Sequence, residues 1–146
     1  LALMMLDIDD FKDFNDRYGH PAGDRLLRQI GARIKSALRR GDLVCRYGGD
    51  EFAVILPDTD GTQAVVVAER IRQAVANDSS PWDDAAATAA AAKLTVSIGI
   101  ALLGPDCATK QGLLSRADLA LYRAKEAGRN TVSLHHSTRQ VARTVS

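Results

Sequence analysis

Six apolar residues, Leu1-Ala2-Leu3-Met4-Met5-Leu6, run without interruption into Asp7-Ile8-Asp9-Asp10. A short apolar run closed by charge suits a strand buried on both faces whose end opens onto a site. Such a strand needs cover on its faces and neighbours on its edges, and the rest of the chain is patterned to supply both. A polar turn is expected over residues 11–19. From Asp24 the apolar positions Leu26, Leu27, Ile30, Ile34 and Leu38 recur at helical spacing, which predicts an amphipathic helix to about Arg39. Residues 43–45 and 52–56 read as strands joined through Gly48-Gly49, a hairpin signal in which glycine accepts positive φ. Ala64, Val67, Ala68, Ile71 and Val75 mark a second helix. Residues 77–93 are expected to form a loop or short irregular insert, despite their Ala-rich run. A strand follows over 94–102, weakened by Gly99. A third helix covers 111–127 and closes at Gly128, a residue suited to the position after a helix end. Residues 131–134 add a last short strand.

This order contains a βαββαβ unit, and the fold class expected is α+β: a split βαβ arrangement with a mainly antiparallel sheet and flanking helices. The crossover rule makes the first and second strands parallel, so that their C-terminal ends share one edge. The third strand can then insert between them and bring the Gly48-Gly49 turn beside Asp7. One domain over 1–134 and a polar tail over 135–146 account for the 146 residues.

Composition narrows the classes of function. Lys and Arg total 19 against 18 Asp and Glu, a net charge of +1, which argues against wholesale nucleic-acid binding. No apolar run nears the roughly 20 residues that span a bilayer, so no membrane contact is expected of this stretch. Cys45 and Cys107 stand apart, without a CxxC or Cys/His cluster, and read as two small buried residues of a reduced, cytoplasmic protein. The chain opens in a strand rather than at a Met or a basic leader, as a piece of a longer protein does; a longer protein can carry a membrane attachment upstream.

The edge where the strands meet gathers Asp7, Asp9, Asp50 and Glu51. Crowded carboxylates repel unless they are protonated or share a cation. With no His or Cys beside them, Mg²⁺ or Mn²⁺ fits better than zinc, its shell completed by water and phosphate oxygens. The alternative is an Asp-x-Asp that merely ends a strand. Phe11 and Lys12 offer backbone N–H groups and a cation where a phosphate tail would lie. Lys125 and Arg129, four apart at a helix end, form either a second phosphate grip or a solvated terminus. Asn15 and Asp24 flank Gly19-His20. A carboxylate accepts from both N1–H and N2–H₂ of guanine, which adenine lacks, but Asp24 is equally placed to cap a helix. Neither a Walker loop nor GxGxxG occurs.

Taken together, Asp7-Ile8-Asp9-Asp10-Phe11-Lys12-Asp13-Phe14-Asn15-Asp16, Gly19-His20, Gly23-Asp24 and Arg46-Tyr47-Gly48-Gly49-Asp50-Glu51-Phe52 resemble the GGDEF family of diguanylate cyclases. Ser97-Ile98-Gly99, Ala117-Asp118, Tyr122, Ala124-Lys125 and Gly128-Arg129-Asn130 extend the resemblance to nearly the whole chain. It implies a palm-like nucleotidyl cyclase fold and condensation of two GTP into cyclic di-GMP and two pyrophosphates, with a second copy of the domain as partner. By the same resemblance Asp7, the Ile8 carbonyl and Asp50 are metal ligands, and Asp50, Glu51 or a metal-bound hydroxide takes the 3′ proton. Phe11, Lys12, Lys125 and Arg129 become phosphate contacts, Asn15 and Asp24 guanine readers, and Gly48 and Gly49 the close-approach turn. Arg39-Arg40-Gly41-Asp42, five residues before Gly48, matches the family's RxxD inhibitory site for its product, with Arg70 as a further arginine; by composition alone it is a helix end with a Gly terminator. A catalytically silent domain that binds cyclic di-GMP or GTP is the alternative from another functional class. The family's usual segment before the first strand, a helix and an Asp-x-Leu-Thr stretch, is not part of this sequence.

Overall fold

A computed structural model describes residues 1–78, 85–91 and 93–136. The opening apolar run is β1 (Ala2–Ile8), every residue of which is buried. Two helices follow, α1 (Phe11–Tyr18) and α2 (His20–Ser36), then the hairpin β2 (Leu43–Gly48) and β3 (Glu51–Leu56). The chain continues through α3 (Gly61–Ala76), α4 (Ala85–Ala91), β4 (Val96–Leu102), α5 (Lys110–Glu126) and β5 (Val132–Leu134). The sheet order is β2-β3-β1-β4-β5, with only the β4–β5 pair parallel. β1 and β2 therefore run in the same direction with β3 between them, as the crossover rule requires.

The period-2 alternation of β1 divides the core. Ala2, Met4, Leu6 and Ile8 pack with Phe14 of α1, Leu27, Ile30 and Ile34 of α2 and Ala68 and Ile71 of α3. Leu3 and Met5 face the other way, onto Leu113, Ala117 and Leu121 of α5. Asp7 continues that second series, so the strand's own pleat aims it toward α5. The approach of α5 to β4 is set by Gly99. A Cβ there would lie 2.1 Å from the Leu121 amide nitrogen and 2.3 Å from the Ala117 carbonyl oxygen. The glycine that looked like a weakness in the strand is the seat of a helix.

Other elements begin and end where local chemistry dictates. α3 starts in a reciprocal capping box between Asp60 and Gln63, and the Thr109 side chain caps α5. Gly128, at φ 109°, stands just past the end of α5 as expected.

Several expectations are corrected. Residues 11–18 form α1, not a turn: Phe11, Phe14 and Tyr18 share one face, and the Phe14 and Tyr18 rings lie 4.9 Å apart. α2 starts four residues before Asp24, with Pro21 in its first turn, so Asp24 sits inside the helix and does not cap it. Residues 85–91 are helical, and Tyr18 donates to the Ala86 carbonyl at 3.3 Å. Cys107 is buried, but Cys45, on the sheet's edge strand, is exposed. Gly48 and Gly49 are not at positive φ. The tail beyond residue 136 lies outside the described residues. Among those described, no helix is long and apolar enough to cross a membrane.

Candidate active site

The C-terminal end of β1 meets the β2–β3 turn. Asp7 pairs in register with Glu51, and the Ile8 amide donates to the Asp50 carbonyl at 3.2 Å. Lys125, in the last turn of α5, donates from Nζ to Oδ2 of Asp7 at 2.5 Å. Burial pushes Asp7 up from its ordinary 3.8 to about 6; the Lys125 bond opposes the rise and the Asp50 charge adds to it. An Asp7 held this high carries a proton more readily than an exposed carboxylate does, and a cation shared with Asp50 would reverse the balance.

The turn itself is open and clamped from one side. A Cβ at Gly49 would meet nothing within 4 Å, and one at Gly48 would meet only Glu51 Oε2, at 3.6 Å. Both glycines leave room beside the backbone, and neither adopts left-handed geometry. Arg46 donates from Nε and Nη2 to the Gly49 carbonyl at 3.0 and 2.8 Å, across an irregularity in the strand pairing. In the sequence Arg46 stands out only by its place in the motif.

Phe11 and Lys12 open α1 just beyond the C-terminal end of β1, where the helix's first N–H groups have no partner within the helix. Asn15 Nδ2 lies 2.8 Å from Nδ1 of His20, which supplies the partner that the sequence did not reveal for His20. The Asn15 amide rests on Gly23, where a Cβ would come within 2.2 Å of Oδ1. Asp24, the next residue, lines a hollow of about 500 Å³ with Leu27, Arg28, Gly31, Arg46 and Phe52. Asn15 thus lies against Gly23, the residue before Asp24, and Asp24 shares its hollow with Arg46, which clamps the turn.

Asp9 does not join the acidic group. It is buried and accepts from Thr95 Oγ1 and Ser97 Oγ, each at 2.7 Å, and from the Asn130 amide at 3.0 Å. It fastens β1 to β4 and to the segment after α5. Among the described residues no cluster of three or more Asp, Glu, His or Cys is arranged to hold a metal. Asp7 and Asp50 lie close enough to interact, and a pair of carboxylates is the kind of oxygen donor set that suits Mg²⁺, an ion that completes its shell with water and substrate phosphates.

The arginine cluster lies elsewhere, past the C-terminal end of α2. Arg39 donates to Asp42 from its amide at 3.0 Å and from Nε at 3.1 Å, and its Nη2 reaches the Pro57 carbonyl and Thr59 Oγ1. Arg70 Nε donates to the Ala37 carbonyl at 2.8 Å, so α3 and the end of α2 converge on one patch. Arg40 is exposed and bridges to Asp42 through the backbone.

The frame is thus a mixed, mostly antiparallel five-stranded sheet with flanking helices, with carboxylates at the end of β1 and a glycine turn beside them. The profile described as "Diguanylate cyclase, GGDEF domain" matches residues 1–131, and the chain belongs to that family. It is 42% identical over 134 residues to Diguanylate cyclase A of Treponema denticola, covering 92% of this chain and 35% of that protein. Response regulator PleD of Caulobacter vibrioides is 43% identical over 132 residues, 90% of this chain and 28% of that protein. The chain thus spans about a third of the length of these curated relatives. The GGDEF domain of DgcB from Caulobacter crescentus, solved in complex with c-di-GMP, superposes with a TM-score of 0.82 at 34% identity. That match covers 93% of this chain and 78% of the solved one.

Proposed function

We propose that this domain, taken as residues 1–134, is a cytoplasmic diguanylate cyclase that condenses two GTP into cyclic di-GMP and two pyrophosphates. The observation that carries the reading is the meeting of Asp7, Lys125 and the Asp50-Glu51 turn at one strand end. Family membership and the solved c-di-GMP complex of a relative support it.

In this reading Asp7, the Ile8 carbonyl and Asp50 hold Mg²⁺ or Mn²⁺. When bound, such ions neutralise triphosphate charge and make the 3′-hydroxyl easier to ionise. The chain's own groups do the rest. The α1 N-terminus at Phe11, with Lys12, Lys125 and Arg129, holds the phosphate tail. Open space at Gly48 and Gly49 lets the backbone approach the nucleotide. Asn15 and Asp24 read guanine, and Asp24 accepts from N1–H and N2–H₂. Asp50 or Glu51 takes the 3′ proton as the 3′ oxygen attacks the α-phosphorus of the GTP on a second copy of the domain. The bond from that phosphorus to the pyrophosphate oxygen breaks, and the same step in the other direction closes the ring. Arg39, Arg40, Asp42 and Arg70 form a separate site that takes up product and restrains the enzyme.

Incubation with GTP and Mg²⁺, followed by chromatography, tests this reading. Cyclic di-GMP and pyrophosphate in a 1:2 ratio are expected. Unchanged GTP, from protein that still binds cyclic di-GMP, would replace the cyclase reading with that of a silent binding domain.

A further inference from the structure

The segment that follows α5 is unusual in its backbone. Gly128, Arg129 and Asn130 stand at φ 109°, 63° and 44°, three consecutive residues in left-handed conformation. Ending a helix needs only one such residue, and Gly128 supplies it. The Arg129 amide, donating to the Ala124 carbonyl at 3.2 Å, completes the cap. A side chain makes this conformation costly, so Arg129 and Asn130 occupy positions where glycine would be more relaxed.

The neighbouring residues hold them there. Asp9, only 5% exposed, accepts from the Asn130 amide at 3.0 Å while Thr95 and Ser97 fix its carboxylate. From the other side Arg72 of α3 donates from Nη1 to Oδ1 of Asn130 at 2.9 Å, its guanidinium steadied by Glu69. Asn130 is thus gripped through main chain and side chain by two elements outside its own turn. What the turn carries is Arg129, four residues beyond the Lys125 that touches Asp7.

We propose that Asp9, Arg72 and Asn130 are positioning residues that hold a strained turn so that Arg129 is aimed at the polyphosphate of the substrate. This rests on the cyclase reading for the identity of that substrate, but not for the turn itself. The device spends backbone strain on placing one guanidinium, and its effect passes through Arg129 alone.

A double-mutant cycle tests this, with calorimetry against Mg²⁺–GTP and, separately, against inorganic tripolyphosphate. Asn130→Gly relaxes the backbone and removes the Arg72 contact. Its melting temperature is expected to equal or exceed the parent's, while tripolyphosphate binding weakens at least about fivefold. In an Arg129→Ala background the same change is expected to alter binding by less than about twofold. Arg72→Met, which leaves the turn's sequence intact, follows the same pattern. Unweakened binding by Asn130→Gly, or a full loss that persists without Arg129, overturns the proposal. A parent that binds tripolyphosphate but makes no cyclic dinucleotide defeats the cyclase reading while the cycle still decides the turn. A parent that binds neither ligand defeats both.

Discussion

Asp7 is held between an ammonium and a second carboxylate, and its titration gives the site a stability signature. With a folded value near 6 and an ordinary value of 3.8, the native protein keeps a proton that the unfolded chain has already released. The contribution of Asp7 to the stability of the metal-free domain therefore falls as pH rises from about 4 through 6, and levels off above. Asp7→Asn abolishes that slope, and melting curves in chelator at pH 4.5 and 7.5 measure it; an unchanged slope in the variant would assign the effect to another group. The same substitution is expected to cut turnover at least about 10- to 100-fold, as loss of a metal ligand does. For the base readers, Asn15→Ala and Asp24→Ala should erode a preference for GTP over ATP that sites of this kind set at roughly 10⁴-fold. Competition kinetics with the two nucleotides report it, and a parent that uses ATP equally well would refute the guanine assignment. The acids at the strand end were legible because charge interrupting an apolar run has few explanations. That Asp9 is a fastener was not, since its partners are 86 or more residues away in sequence.

Among the elements, the most exacting fit is α5 against β4. At Gly99 the atoms that a Cβ would strike are helix backbone, which cannot swing aside as a side chain can. Gly99→Ala is expected to cost about 3 kcal/mol or more, at the upper end of overpacking effects, and to lift Lys125 off Asp7. Urea denaturation checks the first and loss of GTP turnover the second; a variant as stable as the parent would mean that α5 can shift freely. Helices α2, α3 and α5 and the strands announced themselves because each repeats its pattern over enough residues. α1 did not: eight residues with Lys12, Asp13, Asn15, Asp16 and Arg17 between the aromatics hide a stripe of three. Residues 85–91 are almost all alanine, which has high helix propensity but carries no periodicity to read. The start of α2 was obscured by Gly19-His20-Pro21, which reads as a turn although Pro is at home in a first helical turn.

Across the whole molecule, the proposed function gives the two ends of α2 different tasks. Its 17 residues extend about 25 Å, separating the proposed guanine readers near its start from the Arg39–Asp42 pair beyond its end. The pair is already assembled, with the Asp42 side chain 1% exposed and that of Arg39 58% exposed, so a ligand meets a guanidinium held in place. Cyclic di-GMP is expected to bind without metal, and Arg39→Ala or Asp42→Ala to weaken it at least about tenfold, or roughly 1.4 kcal/mol. Calorimetry in chelator decides, and equal binding by both variants would reduce the cluster to a helix terminus. The exposed thiol of Cys45 has a practical consequence for that experiment. Since Cys107 is buried, a maleimide reagent distinguishes the two cysteines of the native sequence. A spin label on Cys45, three residues from the glycine turn, becomes a ruler between two copies of the domain. The distances it records with GTP and with cyclic di-GMP would tell apart an assembly poised for reaction from one held away from it, with no cysteine introduced.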